Sequence, residues 1–150
     1  MAGSKELKMS SAYISPALRA YVRERSREQC EYCLRSSLFY SFGFHVDHII
    51  SQQHGGDSAE ENLAWSCPEC NVRKGTNLGT YLTDGNRKVW LFDPRKQVWR
   101  KHLKLLNSGE ILGKSDSGKG TVQLLRINER ERVEERKLMM LEGYRFFAAI

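Results

Sequence analysis

Apolar residues along this chain come in short runs separated by turn-forming and charged segments. Residues 1–14 are polar and small, with no apolar period, and are expected to be a flexible tail. Ser15-Pro16 then marks a helix start, a capping serine followed by proline at the first helical position. Ala17, Leu18, Tyr21 and Val22 share one face at helical spacing while Arg19, Arg23, Arg25 and Arg27 lie elsewhere, which predicts a helix ending near Gln29. Residues 44–50 (Phe-His-Val-Asp-His-Ile-Ile) are rich in strand formers and predict a β-strand. A polar loop with Gly55-Gly56 follows, then a second short strand over Asn62–Ser66 and a short helix from Asn71 to about Lys74, closed by Gly75.

The second half continues the pattern. Val89 to Phe92 and Val98 to Leu106 read as strands joined by the Asp93-Pro94 turn, and Asn107-Ser108-Gly109 predicts a hairpin into Ile111-Leu112. Thr121 is placed to cap a helix through about Ile127. Asn128 with Glu131 three residues later resembles a capping box that opens a last helix. Val133, Met140, Leu141 and Tyr144 give that helix a narrow apolar stripe in a very charged sequence. There is no internal repeat.

Charge sharpens this outline. The chain carries a net +6, yet residues 71–104 hold nine Lys/Arg against Asp84 and Asp93, leaving the remainder near neutrality. A basic excess confined to one stretch is what a polyanion-binding face requires, although a solvated charged surface has the same composition. No run approaches the ~18 apolar residues that span a bilayer, and no apolar signal segment opens the chain, so a cytoplasmic protein without membrane contact is expected. In that reducing setting four cysteines point to metal rather than to disulfides.

Their spacing supports this. Cys30-x2-Cys33 and Cys67-x2-Cys70 are two matched knuckles able to place four thiolates at the corners of a tetrahedron, the arrangement of a closed structural Zn2+ site. Four protein ligands leave no open position, so this zinc is expected to staple the fold and take no part in chemistry. Free or redox-active cysteines are the weaker reading, because nothing around them is thioredoxin-like.

Between the knuckles lie Val46-Asp47-His48-Ile49-Ile50, Gly55-Gly56 and Asn62-Leu63, and the second knuckle runs on as Cys70-Asn71-x-x-Lys74. Here the chain resembles the HNH endonucleases, in their four-cysteine branch. The resemblance implies an α+β fold: a ββα-metal core stapled by the structural zinc, with an N-terminal helix, a C-terminal β-hairpin and terminal helices. It implies a metal-dependent endonuclease that hydrolyses phosphodiester bonds of DNA, leaving 5′-phosphate and 3′-hydroxyl ends. His48 matches the general base, and Asp47 and Asn71 match the ligands of one catalytic divalent cation, Mg2+ or Mn2+. Asn62 matches the asparagine that holds the loop so that His48 points correctly. Lys74, and Arg73 beside it, match positions facing phosphate. A looser resemblance to small bacterial HNH proteins runs through Leu91-Phe92-Asp93-Pro94-Arg95, Trp99, His102-Leu103, Gly113, Gly120-Thr121-Val122 and Leu125 to Asn128. The sequence departs from the pattern at Ser51, where proline is common, and at Leu103, where an aromatic is common.

The chemistry of the residues agrees. A neutral imidazole takes a water proton at physiological pH, and a carboxylate with an amide oxygen suits a hard cation. Asp47 and His48 are neighbours on a strand and point to opposite faces, so a strand end or a bulge is expected there. His45, His54 and His102 are read as strand, loop and packing residues. Gly113-x4-Gly118-Lys119 lacks the Ser/Thr of a phosphate-binding loop, and Lys8-Met9-Ser10-Ser11, a synthetase-like signature, lies in the tail without its partner motif.

The reading divides the chain into the tail 1–14, a nuclease core 15–80 and a basic extension 81–150 packed on it. Arg73, Lys74, Arg87, Lys88, Arg95, Lys96, Arg100 and Lys101 are the expected nucleic-acid contacts, with Trp90, Phe92 and Trp99 mostly in the core. The expected partner is DNA, double-stranded rather than single, with a homodimer or a separate targeting protein also open. The rival functions are a zinc-stabilised nucleic-acid-binding module without turnover, and an assembly protein that uses its last helix.

Overall fold

The computed structural model describes residues 13–40 and 43–150. Apart from Tyr13 and Ile14, the expected tail, with its Lys8–Ser11 signature, lies outside them. Helix α1 (Pro16–Arg25) starts as the Ser15-Pro16 pair predicts, with Ser15 Oγ accepting from the Leu18 amide at 3.1 Å. It stops four residues short of Gln29, because Arg27 and Glu28 both take positive φ (55° and 66°) and turn the chain. Val22 is its fully buried residue, whereas Tyr21 is exposed.

Strands β1 (His45–His48) and β2 (Leu63–Ser66) pair antiparallel, His45 opposite Ser66 and His48 opposite Leu63. Helix α2 (Pro68–Lys74) follows β2 directly, opened by Pro68 and ended at Gly75. It begins three residues earlier than the expected Asn71, because Cys67 caps it: its sulfur accepts from the Cys70 amide. Two strands and a helix in this order, with a four-cysteine cluster beside them, are the expected α+β, ββα arrangement.

Two more two-stranded antiparallel sheets carry the basic region. In the first, β3 (Gly79–Tyr81) pairs with β4 (Lys88–Trp90), so the boundary expected at residue 80 falls inside a strand. Residues expected as one strand from Val98 divide into a helical turn α3 (Trp99–His102) and β5 (Leu103–Leu105), which pairs with β6 (Ile111–Gly113) in the predicted hairpin.

Helix α4 (Asp116–Leu124) begins five residues before Thr121 and is capped by Ser115. Thr121 is buried within it, its Oγ1 donating to the Ser117 carbonyl and accepting from the Phe92 amide. Gly118 allows this helix to sit directly on the chain after α3, since a Cβ there would lie 1.9 Å from the His102 carbonyl oxygen. The glycines of the apparent phosphate loop therefore serve close packing.

The last helix, α5 (Arg130–Leu141), starts after Glu129 without a side-chain cap. The Asn128 amide instead accepts from Ile111 N and donates to Ile111 O, at 2.8 and 2.9 Å, pinning β6. The expected apolar stripe is not its inner face. Leu141 and Tyr144 are exposed, and the buried positions are Arg132, Arg136 and Met139, at i, i+4 and i+7.

The core joins Tyr32, Phe44, Leu63 and Trp65 to Phe92, Trp99, Leu103, Ile111, Leu125 and Ile127. Trp99 Nε1 donates to the Tyr32 carbonyl at 3.0 Å, tying the basic region to the first knuckle. Trp90 is the exception among the aromatics assigned to the core: it stands exposed. Among the described residues no helix is long and apolar enough to cross a membrane.

Candidate metal centres and nuclease cleft

The two knuckles meet. Cys30, Cys33, Cys67 and Cys70 are fully buried, and their sulfurs all lie within 4.8 Å of one another, with Cys33 and Cys67 at 3.6 Å. Four thiolates around an ion at a metal–sulfur distance of about 2.3 Å sit roughly 3.8 Å apart, so this cluster fits a four-coordinate structural metal. The amides of Cys33 and Cys70 donate to the sulfurs of Cys30 and Cys67, the local turn that each Cys-x2-Cys spacing makes possible.

Three buried arginines surround these sulfurs. Arg132 donates to Cys70 Sγ at 2.7 Å and to the carbonyls of Leu125 and Arg126. Arg35 approaches Cys67 Sγ at 3.9 Å and is paired with Glu69 and Glu135. Arg136 donates to the carbonyls of Gly109 and Ile127 and reaches that of Cys33. A divalent ion with four thiolates carries a net charge of −2, and a buried charge of that size requires cationic donors around it. Sequence reasoning missed all three: Arg132 and Arg136 lie on a charged helix that looks solvated, and Arg35, just after the first knuckle, carries no local signal of burial. The one usable signal was the i, i+4 spacing of Arg132 and Arg136.

The second site lies at the free end of β1. A cleft of about 380 Å³ is lined by Asp47, His48 and Asn71 together with Ser51, Gln52 and Thr76. The β1–β2 register runs unbroken to His48, the last residue of its strand, so the strand end and not a bulge gives both neighbours access. His48 Nε2 lies 2.9 Å from Ser58 Oγ. Burial pushes the His48 imidazole below its ordinary value, against an upward pull from Asp47, which favours the neutral ring.

Asp47 is buried behind the cleft. Tyr32 donates its hydroxyl to Oδ2 at 2.7 Å, and Lys74 Nζ lies 3.2 Å from the same oxygen. Burial raises the Asp47 carboxyl, and Lys74 and Tyr32 partly reverse the shift. Asn71, on α2, is half-buried, and among the described residues its side chain has no hydrogen-bond partner. A carboxylate and an amide oxygen converging on one cleft are hard donors that fit a divalent cation.

The loop between the strands is clamped by Asn62. Its amide accepts from Ile50 N and donates to the carbonyls of Ile50 and Asp57, all within 2.9 Å. Gly56 packs under this clamp, where a Cβ would lie 1.7 Å from the Ile50 carbonyl oxygen.

Residues 30–77 match the HNH endonuclease family. This segment is an HNH domain. Over 126 residues, 83% of its length, the chain is 26% identical to Septu protein PtuB of Bacillus thuringiensis, and it spans 46% of that protein.

Several expected nucleic-acid contacts are placed differently around the HNH domain. Lys74, expected at phosphate, is 2% exposed with its ammonium on Asp47 and on the His48 carbonyl, where it offsets the cost of burying the Asp47 carboxylate. Arg95 is paired with Glu31 and largely covered. Arg73 pairs with Glu129, Arg87 with Asp116, and Arg100 donates to the Ile150 carbonyl. Lys88, Lys96 and Lys101 are exposed. Tyr32 and Ser58, which touch Asp47 and His48, were not anticipated; Tyr32 is marked only by its place inside a knuckle.

Proposed function

We propose that this protein is a metal-dependent DNA endonuclease of the cytoplasm, with His48 as general base. The observation that carries the reading is the convergence of Asp47, His48 and Asn71 on one cleft at the end of the ββα unit. His48, kept neutral by burial, takes a proton from the attacking water, and Ser58 holds the ring through Nε2. A Mg2+ or Mn2+ ion, held by the Asp47 carboxylate and the Asn71 amide oxygen, would neutralise charge on the phosphate and on the 3′ leaving oxygen. Tyr32 and Lys74 hold the Asp47 carboxylate from behind, and Asn62 fixes the loop that carries Ser58. The four-cysteine cluster is read as structural Zn2+, closed by its four protein ligands and so without a place for substrate. The residues before β3 form the nuclease core, and the exposed lysines of the region from β3 onward face the DNA backbone.

The test is cleavage of labelled DNA by the zinc-loaded protein across several divalent metals, with the new ends identified. Divalent-dependent cleavage leaving 5′-phosphate and 3′-hydroxyl ends is the expected result. A folded, zinc-loaded protein that binds DNA but cuts none with any metal would instead be a binding module.

A further inference from the structure

A groove of about 780 Å³ is lined by Ile49 and Ile50, which follow His48 in the chain, by Lys74 of α2, and by Lys88, Trp90 and Lys96. Trp90 and Lys88 are two apart on β4 and share its outer face, opposite Gly79 and Tyr81 of β3. Tyr81 is 60% exposed and Trp90 66%, and the Lys88 ammonium stands 5.5 Å from the Trp90 ring centroid. The ribbon's other face, Thr80 and Val89, packs towards α4 at Gly120.

A tryptophan opposite glycine covers bare backbone, but that role leaves no reason for two thirds of its surface to stay open. Aromatic faces beside cations, on a groove whose wall includes the residues that follow His48, are the chemistry that holds unpaired nucleotides. A base within a duplex has both faces stacked already, so an exposed indole gains little from it.

We propose that this groove binds a single-stranded stretch of the nucleic-acid substrate, with one base stacked on Trp90 and a neighbouring phosphate met by Lys88. The inference rests on the nuclease reading and narrows it: the strand beside the cut is unpaired, in place of the intact duplex expected from the sequence. Tyr81, on the same face, extends the stacking surface towards the β3–β4 turn.

The chain has three tryptophans, and Trp65 and Trp99 are buried, so quenching of the exposed emission reports on Trp90 directly. The experiment uses the zinc-loaded full chain in the His48→Ala background, which prevents turnover, with a 12-mer oligothymidylate and a blunt duplex of equal length. Saturable quenching by the oligothymidylate is expected. By anisotropy of labelled DNA, Trp90→Leu should weaken single-strand binding by about ten-fold or more, Trp90→Phe should retain most of it, and duplex binding should be unchanged. Because the ring is exposed, Trp90→Leu should melt with the parent. Unchanged single-strand affinity in Trp90→Leu, or an equal loss for duplex, overturns the platform. If the wild type still cuts DNA in that case, the nuclease reading stands alone; if it neither binds nor cuts, both fall.

Discussion

Lys74 and Asp47 form an ion pair in the interior behind the cleft, Nζ 3.2 Å from Oδ2, with the same ammonium 3.0 Å from the His48 carbonyl oxygen. One side chain of α2 thus holds both the carboxylate and the backbone of the Asp47-His48 pair. Lys74→Met should leave a buried carboxylate with Tyr32 as its remaining partner. The expected cost is roughly 3–5 kcal/mol of unfolding free energy, read by chemical denaturation, together with loss of cleavage. Unchanged stability with only weaker DNA binding would mean that Lys74 does meet phosphate.

The arginines around the cysteine cluster give a second prediction. Arg136→Met keeps volume but orphans the carbonyls of Gly109 and Ile127 and removes one cation near the thiolates. Orphaning two buried carbonyls costs about 1–3 kcal/mol each, so Tm should fall by roughly 5–15 °C. Zinc should also be lost to a chelator at lower concentration. A variant that melts and holds zinc like the wild type would contradict the role assigned to Arg136.

The loop clamp can be tested separately from the zinc. Asn62→Ala removes three hydrogen bonds, worth about 1 kcal/mol each, from the segment between β1 and β2. Cleavage should drop by at least ten-fold while zinc content, measured by metal analysis, stays at one per chain. Gly56→Ala should act in the same direction, because its Cβ would meet the Ile50 carbonyl oxygen. If Asn62→Ala instead loses zinc, loop and staple are not independent.

Much of this arrangement was legible because its determinants are local. Each knuckle is four residues long, Ser15-Pro16 caps its own helix, and the β5–β6 hairpin follows from its turn residues. Other features depend on partners far along the chain. Arg132 and Arg136 lie in a segment whose composition signals a solvated helix, and the groups that bury them, the Cys70 sulfur and carbonyls such as those of Leu125, Gly109 and Ile127, lie outside that segment. Lys74 reads as a phosphate ligand until Asp47 is found behind it. α4 was placed too late because Gly118 and Gly120 lower helix propensity, a cost accepted where the backbone must approach closely. Trp90 looks like core in sequence because tryptophan usually is, and its exposure is visible only from the pairing of β4 with β3.

In the proposed nuclease, staple and chemistry are separate, with His48 serving the chemistry alone. Nicking of supercoiled DNA by the wild type and by His48→Ala, each assayed for zinc and melting temperature, measures this directly. The expected result is cleavage by the wild type with Mg2+ or Mn2+, and none by His48→Ala at unchanged zinc content and Tm. Cleavage by His48→Ala at the wild-type rate would exclude His48 as the general base.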